Sequence, residues 1–519
     1  MHQAELILGL LIAVAALVTV ARFLGISYPI LLVIGGLVLG LVPGVPPIRM
    51  DPELIFLIVL PPLLYIAAFF TPIRSLRTNL GTISSLAVGL VVASALAVAA
   101  VAHTLMPEMP WAIAIVLGAI VAPPDAIAAT AVTSRLAVPR QIVTILEGES
   151  LLNDATALTM YTIALAAAAG AIFSPTTAVL TFTGAIVGGG VIGIVVGWVV
   201  ATLRARIEDT PVEMTLSLLT PYAAFLPADR LGASGVIAAV AAGLYMGHQG
   251  SRIMGADARL TGRAVWETIT FLLNGFVFIA MGFEVPILLR TLTPSVAIQL
   301  VGLGVAVTIA LVVVRALWIF GSIYLPQRIR RTDAFGCSFV LAWAGMRGVV
   351  SLAAALALPL TIRGGAPFPD REALVVVTVT VIVLTLVGQG LTLPALIKTI
   401  RLGADVGIRE EESRARQTLL EAASRRLDEL YEVWPGHRPL LDQMRETYQH
   451  RSGHVERRLD PATGDNEDRE LIEHREIRRT VLDAEREALL RLRAEDGVNE
   501  ELLRELEREL DLEERRMDA

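Results

Sequence analysis

Ile145-Leu146-Glu147-Gly148-Glu149-Ser150-Leu151-Leu152-Asn153-Asp154, running on into Ala155-Thr156-Ala157-Leu158-Thr159-Met160-Tyr161, decides how the chain is read. Three carboxylates, an amide and a hydroxyl sit inside a helix-length stretch that is otherwise apolar. Ionised carboxylates are costly in hydrocarbon, so such a cluster marks a functional site when the helix crosses a membrane. At about 3.6 residues per turn, Glu147, Ser150 and Asp154 share one face. Glu149 and Asn153 form the adjoining stripe. A helix built this way presents oxygens inward and apolar atoms outward.

The surrounding composition supplies the membrane. Hydrophobic residues make up 54% of the 519 residues, and the mean hydropathy is +0.64, too apolar for a soluble protein of this size. Cys337 is the single cysteine, which excludes a disulfide framework or a cysteine-rich metal site. There is no P-loop or zinc signature, and no cofactor is expected. No basic residue precedes the first apolar run, and Arg22 follows it. That order predicts a retained membrane helix over Ala4–Ala21 rather than a cleaved signal peptide, with the N-terminus outside.

Apolar segments of membrane-spanning length, roughly 17–25 residues, fall near 4–23, 29–43, 52–70, 80–103, 111–133, 141–170, 178–202, 212–228, 232–248, 264–288, 294–324, 333–360 and 372–398. The expected fold is an all-α polytopic membrane protein with about 13 transmembrane helices, followed by a soluble helical tail. Loop charge tests the count independently. Alternate loops hold fifteen Lys and Arg residues, from Arg22 through Arg252, Arg259 and Arg263 to Lys398 and Arg401. The opposite loops hold five: Arg49, Arg230, Arg290, Arg363 and Arg371. This bias places the C-terminus in the cytoplasm. The Gly188-Gly189-Gly190 run reads as close helix packing in lipid.

Beyond residue 401 the chain becomes charged, with leucines at helical spacing: Leu419, Leu420, Leu427 and Leu430, then Leu502, Leu503, Leu506 and Leu510. Residues 401–519 read as a cytoplasmic helical tail, split by a polar loop around Pro461–Asp468. Excess acid makes nucleic acid an unsuitable partner.

Two further apolar segments are interrupted. Ala122-Pro123-Pro124-Asp125 lies at the centre of 111–133. The two prolines remove backbone donors, and the freed groups need protein or a wet cavity around them. Asp125 follows the break, where the second half-helix offers partial positive charge. Trp343-Ala344-Gly345-Met346-Arg347-Gly348-Val349-Val350 lies in the middle of 333–360. An arginine there must be paired or must cap exposed carbonyls, and Glu149 is the natural carboxylate partner. Arg315 is a second intramembrane cation, read either as structural, paired or snorkelling to an interface, or as a functional residue of a funnel.

Interrupted helices in two separated parts of a polytopic chain, near a carboxylate-bearing helix, point to an inverted-repeat secondary transporter. The two discontinuous helices would cross, with core helices over about 80–170 and 294–400 and scaffold helices over about 1–70 and 178–288. Asp154, Asp125, Ser150 and main-chain carbonyls offer hard oxygen ligands with net negative charge, suited to a dehydrated alkali cation. One buried carboxylate can hold a proton or a metal ion, but hardly both. Competition combined with alternating access is an exchange mechanism.

Gly148-Glu149-Ser150-Leu151-Leu152-Asn153-Asp154, with Pro61-Pro62-Leu63-Leu64 and Gly345-Met346-Arg347-Gly348, resembles the sodium/proton exchanger family in its bacterial plasma-membrane branch. The resemblance covers residues 1–400. It implies a homodimer in which the core moves against a dimerisation domain. It also implies that Asp154, Asn153, Ser150 and Asp125 form the cation- and proton-binding site, with Asp154, Asp125 and Ser150 holding the transported ion. Glu149 and Arg347 would be the charge-compensating ion pair. An Asn-Asp pair in place of Asp-Asp goes with electroneutral exchange of one proton per cation, since Asn153 carries no proton. Many relatives have Thr-Asp-Pro where this chain has Pro124-Asp125-Ala126, so a threonine hydroxyl is absent here. Glu147 has no transferred role; it reads as a funnel carboxylate or a solvated one.

The expected activity is therefore antiport of Na+ or Li+ against H+ across the plasma membrane, in pH homeostasis, with K+ as the alternative cation. No enzyme activity is expected. A cation channel or sodium-coupled symporter is disfavoured, because no carbonyl filter sequence or site for an organic solute is evident. An intramembrane aspartyl protease would use Asp125 and Asp154 as a dyad, but the Tyr-Asp and Gly-x-Gly-Asp sequences of such proteases are absent.

Overall fold

The computed structural model describes residues 2–24, 27–42, 52–125, 129–130, 133, 138–168, 175–207, 209–290, 292–324, 334–361, 367–400, 406–458, 464–494, 503, 506–507 and 509–514. Ala126, the loop residues Arg49, Arg135, Arg328, Arg330, Arg331, Arg363 and Arg401, and the expected junction near 401 lie outside them. The described residues form no strand beyond an isolated bridge between Thr361 and Pro367. The chain divides into two compact units, Met1–Ala404 and Asp405–Ala519.

The first unit contains α1 (His2–Leu24), α2 (Tyr28–Leu41), α3 (Pro52–Phe70) and the short α4 (Ile73–Thr78). Next come α5 (Leu80–Leu105), α6 (Trp111–Val121) and α7 (Arg140–Ala168). Then follow α8 (Pro175–Arg204), α9 (Thr210–Arg230), α10 (Gly235–Ile253) and α11 (Ala256–Arg290). The unit ends with α12 (Pro294–Tyr324), α13 (Ala334–Trp343), α14 (Val349–Leu356) and α15 (Arg371–Ile400). Among the described residues, six helices are long and apolar enough to cross a membrane, and α2, α6 and parts of α1 and α3 are shorter apolar helices. Helix α11 begins well before the apolar segment 264–288, because its first turns carry Arg259 and Arg263, which suit water rather than lipid.

Both expected interruptions are present. Helix α6 stops at Val121, where Pro123 and Pro124 cannot donate to the ladder. Ala344–Gly348 separates α13 from α14 as non-helical backbone. The order long helix, broken helix, long helix occurs twice, as α5–α7 and α12–α15. In both triplets the first long helix contains a π-helical turn, Ser85–Leu90 in α5 and Phe320–Tyr324 in α12. Such turns widen the backbone and recur at functional sites. The two triplets touch through α5 and α12, where Trp318 Nε1 donates to Ser85 Oγ at 3.1 Å.

The remaining helices pack closely through small residues. A Cβ built on Gly282 of α11 would lie 2.0 Å from the Val33 carbonyl oxygen of α2. One on Gly36 would lie 2.1 Å from the Ile279 oxygen. In the Gly188-Gly189-Gly190 run the same role falls on Gly189, whose Cβ would meet the Ser234 oxygen at 2.5 Å, while Gly190 has open space. Without a hydrophobic drive between helices in lipid, this close backbone approach supplies the packing.

The second unit is helical throughout its described residues. Helices α16 (Val406–Val433) and α17 (Arg438–Arg458) form a hairpin, and α18 is Gly464–Ala494. Arg445 pairs with Asp428 and stacks 4.6 Å above the Tyr431 ring, while the Tyr431 hydroxyl donates to Asp442. Arg486 joins α18 to the last described residues through Asp511 and Glu514, at 2.7 and 2.6 Å. Of the stretch Pro461–Asp468, expected as a loop, residues 461–463 lie outside the described residues, and the chain is helical from Gly464 onward.

Gly282→Val should force α2 and α11 apart and lower stability by about 1–3 kcal/mol. Gly184→Ala, with nothing within 4 Å of the new Cβ, should not. Thermal unfolding of the purified protein checks both.

Candidate functional site

The site is assembled where the two breaks meet. The Asp125 amide donates to the Met346 carbonyl at 2.6 Å, joining one interrupted stretch to the other. A Cβ on Gly348 would lie 1.6 Å from Asp125 Oδ2, so any other residue at 348 would collide with that carboxylate. From the intact helix α7, Asn153 Nδ2 donates to the Pro124 carbonyl at 3.0 Å. That carbonyl has lost its place in a helical ladder, and the asparagine amide supplies the missing donor.

Arg347 satisfies most of the remaining free carbonyls. Its Nε donates to Val121 O at 3.0 Å and its Nη2 to Ala122 O at 3.3 Å, both at the end of α6. Its Nη1 donates to Gly345 O within its own break. The Arg347 amide donates to Thr385 Oγ1 in α15 at 3.1 Å. At the other end of α14, Arg371 donates to the carbonyls of Leu356 and Leu358, each at 3.1 Å. The negative end of each half-helix thus receives a guanidinium.

The expected Glu149–Arg347 ion pair is corrected by this geometry. Glu149 pairs with Arg315 of α12, from Nη1 to Oε1 at 2.6 Å and from Nη2 to Oε2 at 2.8 Å. Arg315 Nε takes the Leu341 carbonyl at 3.1 Å. Both partners are 1% exposed, so the pair is fully desolvated and its bidentate fit is what makes burial tolerable. Arg347 cannot provide that fit, because its nitrogens are committed to the α6 and Gly345 carbonyls. Of the readings open for Arg315, the structural one by pairing is observed, and Arg315 does not line the cavity.

The two stripes of α7 have separate destinations. Glu147, Ser150 and Asp154 line a cavity of about 460 Å³ together with Asp125, Gly348 and Ser351. Glu149 and Asn153 turn to the partners already described and do not line it. Asp154 is 3% exposed, and Asp125, Ser150 and Glu147 are half-buried. The far wall comes from α2, α3 and α11, including Tyr28 and Trp266. Trp266 is held by a bond from Nε1 to Ser217 Oγ at 3.0 Å. Glu147 shares the cavity lining with Arg263 and Glu267 of α11, which form an exposed i,i+4 ion pair at 2.9 Å.

Sequence reasoning missed Ser351, Thr385, Arg371 and Tyr28. Ser351 and Thr385 are lone hydroxyls in apolar runs, indistinguishable by spacing from the many that bond back to their own helix. Arg371 was assigned to a loop, and only its position three-dimensionally beside α14 reveals its carbonyl partners. A double-mutant cycle separates the two arginines. The coupling of Glu149→Gln with Arg315→Gln is expected at about 2–3 kcal/mol, and that with Arg347→Gln at least about 1 kcal/mol smaller. Unfolding of the purified variants measures it.

A sequence model described as sodium/hydrogen exchanger, transmembrane, matches residues 9–399. A Mycobacterium tuberculosis protein named as an uncharacterized Na+/H+ exchanger is 36% identical over 98% of this chain and 96% of its own. The Na+/H+ antiporter ApNhaP of Aphanothece halophytica is 31% identical over 81% of this chain and 79% of its own. The fold is similar to that of the sodium proton antiporter MjNhaP1 from Methanocaldococcus jannaschii, with TM-score 0.63 and 20% identity over 77% of this chain and 97% of that one. Two helix breaks sealed by an arginine, beside a cavity lined by the acidic residues of an intact helix, are thus found in a chain whose sequence matches one family over nearly all of its first unit. The chain belongs to the sodium/hydrogen exchanger family, whose members are membrane-embedded cation/proton antiporters and not enzymes.

Proposed function

We propose that the protein exchanges one monovalent cation, Na+ or Li+, for one proton by alternating access, with the two ions competing for Asp154. The observation carrying this reading is that Asp154, Ser150 and Asp125 line a single cavity while Glu149 is neutralised by Arg315 outside it. The cavity therefore offers hard oxygen atoms with net negative charge, the ligand type alkali cations take. Asp154 comes from a continuous helix and Asp125 from a broken one, so a shift of the broken helices changes which side reaches the cation without dismantling α7.

Asn153 is committed through its Nδ2 to the Pro124 carbonyl and has no titratable group. The proton count then stays at one per cation, and exchange is electroneutral. Potassium is the alternative substrate. A Bacillus subtilis relative, 28% identical over 75% of this chain and 61% of its own, is named a sodium, potassium, lithium and rubidium/H+ antiporter. Such a breadth of substrates fits the carboxylate and hydroxyl oxygens that this largely apolar cavity presents.

In this reading the protein is a homodimer in the plasma membrane, with its N-terminus outside. The scaffold helices over 1–70 and 178–288 form the dimer contact, and residues 401–519 are a cytoplasmic regulatory tail. The preponderance of Lys and Arg in alternate loops supports the orientation.

Proteoliposomes with an internal pH dye test the proposal. External Na+, Li+ or K+ should drive proton movement at a rate independent of a clamped membrane potential. Asp154→Asn should abolish it in a protein that still elutes as a folded species. Silence of the dye with all three cations removes the exchange reading, and a voltage-set rate removes only electroneutrality. Truncation after Gly403 should displace the pH profile of exchange; an unchanged profile removes the regulatory role of the tail.

A further inference from the structure

Several hydroxyl groups are buried without a hydrogen-bond partner among the described residues: Ser27, Tyr65, Ser94, Tyr161, Ser351 and Thr378. Of these, Ser351 also lines the cavity that holds Asp125, Ser150 and Asp154. It is 1% exposed. A buried serine in a helix ordinarily bonds back to the carbonyl four residues earlier. Thr156, Thr159, Thr380 and Thr385 all do so here. For Ser351 the residue four before is Arg347, which lies in the non-helical stretch ahead of α14. The helix is broken just ahead of Ser351, and its hydroxyl makes no bond to the Arg347 carbonyl. An unmade hydrogen bond at a buried polar group is costly, so such a group calls for a partner.

We propose that the Ser351 hydroxyl oxygen is a ligand of the transported cation, contributed by the second broken helix. The inference rests on the exchange reading above and extends its ligand set. Ser150 and Asp154 come from α7, Asp125 from the first break and Ser351 from the second, so the cation is held by three separate backbone segments. A small cation meets each oxygen at shorter range and more strongly than a large one does, so one oxygen ligand is worth more to it. Ser351 therefore favours Na+ and Li+ over K+, and it makes cation occupancy sensitive to where α14 stands relative to α7.

The test uses the full chain in proteoliposomes. Ser351→Cys keeps nearly the volume of serine but offers sulfur, a poor ligand for a hard cation. It should raise the apparent KM for Na+ by about tenfold or more, the effect of losing one neutral partner of a charged group. The preference between Na+ and K+ should move toward K+. Ser351→Thr, which retains the oxygen, should bring the Na+ KM back to within about threefold of the native value. A residue that only supported α14 would alter stability and scale exchange of every cation alike, leaving the preference where it was.

Cation-induced thermal stabilisation of the purified protein gives a second readout that needs no transport. Na+ should raise the unfolding temperature of the native chain and of Ser351→Thr, and raise that of Ser351→Cys only at about tenfold higher concentration. An Na+ KM within twofold of native in Ser351→Cys, with unchanged preference, overturns the assignment. If the native chain is stabilised by Na+ in a Ser351-dependent way yet moves no protons, the ligand assignment stands and the exchange reading fails.

Discussion

Backbone carbonyls freed inside an apolar helical unit must find donors, and Arg347 is where this requirement is met. Each unsatisfied group at such depth costs several kcal/mol, and two breaks create several of them at once. One guanidinium takes Val121, Ala122 and Gly345. Asn153 takes Pro124, the Asp125 amide takes Met346, and Thr385 takes the Arg347 amide. The breaks therefore stabilise one another and cannot be separated from α7 or α15. The cavity exists because this network holds the interrupted backbone open beside it.

Charge is sorted by the same arrangement. Glu149 and Asp154 lie little more than one helical turn apart on α7, yet Glu149 meets a bidentate arginine and Asp154 faces the cavity. Committing Glu149 to Arg315 leaves Arg347 with carbonyl dipoles as its direct hydrogen-bond partners, so its positive charge complements the C-terminal end of α6. Neutralised charge stays within the packed helices, and ionisable oxygens stay within reach of solvent and substrate. Arg263, which does line the cavity, is paired with Glu267.

The likeness to MjNhaP1 is a likeness of fold at low identity, whereas family membership rests on the sequence match across 9–399. The detail of the site is local. Proline occupies position 124, ahead of Asp125, and its carbonyl is claimed by Asn153. The cavity lining includes the hydroxyl groups of Ser150 and Ser351, on different helices, together with those of Tyr28, Thr130 and Thr270. The π-helical turns in α5 and α12 lie where these helices frame the core, and the Trp318–Ser85 bond joins the two.

The primary structure alone determined the helical segments, both interruptions and the face of α7 that carries Glu147, Ser150 and Asp154. These are matters of local chemistry: apolar run length, the missing donors of Pro123 and Pro124, and the angular step of a helix. It did not determine which arginine meets Glu149. Arg315 and Arg347 are both lone cations in apolar surroundings, and the choice depends on which reaches the carboxylate with two nitrogens once α12, α13 and α7 have packed. Nor did it single out Ser351, whose significance depends on a cavity wall built by distant segments and on a hydroxyl left without a partner beside the break. Pairings across 166 residues leave no periodic trace, so only the packed chain decides them.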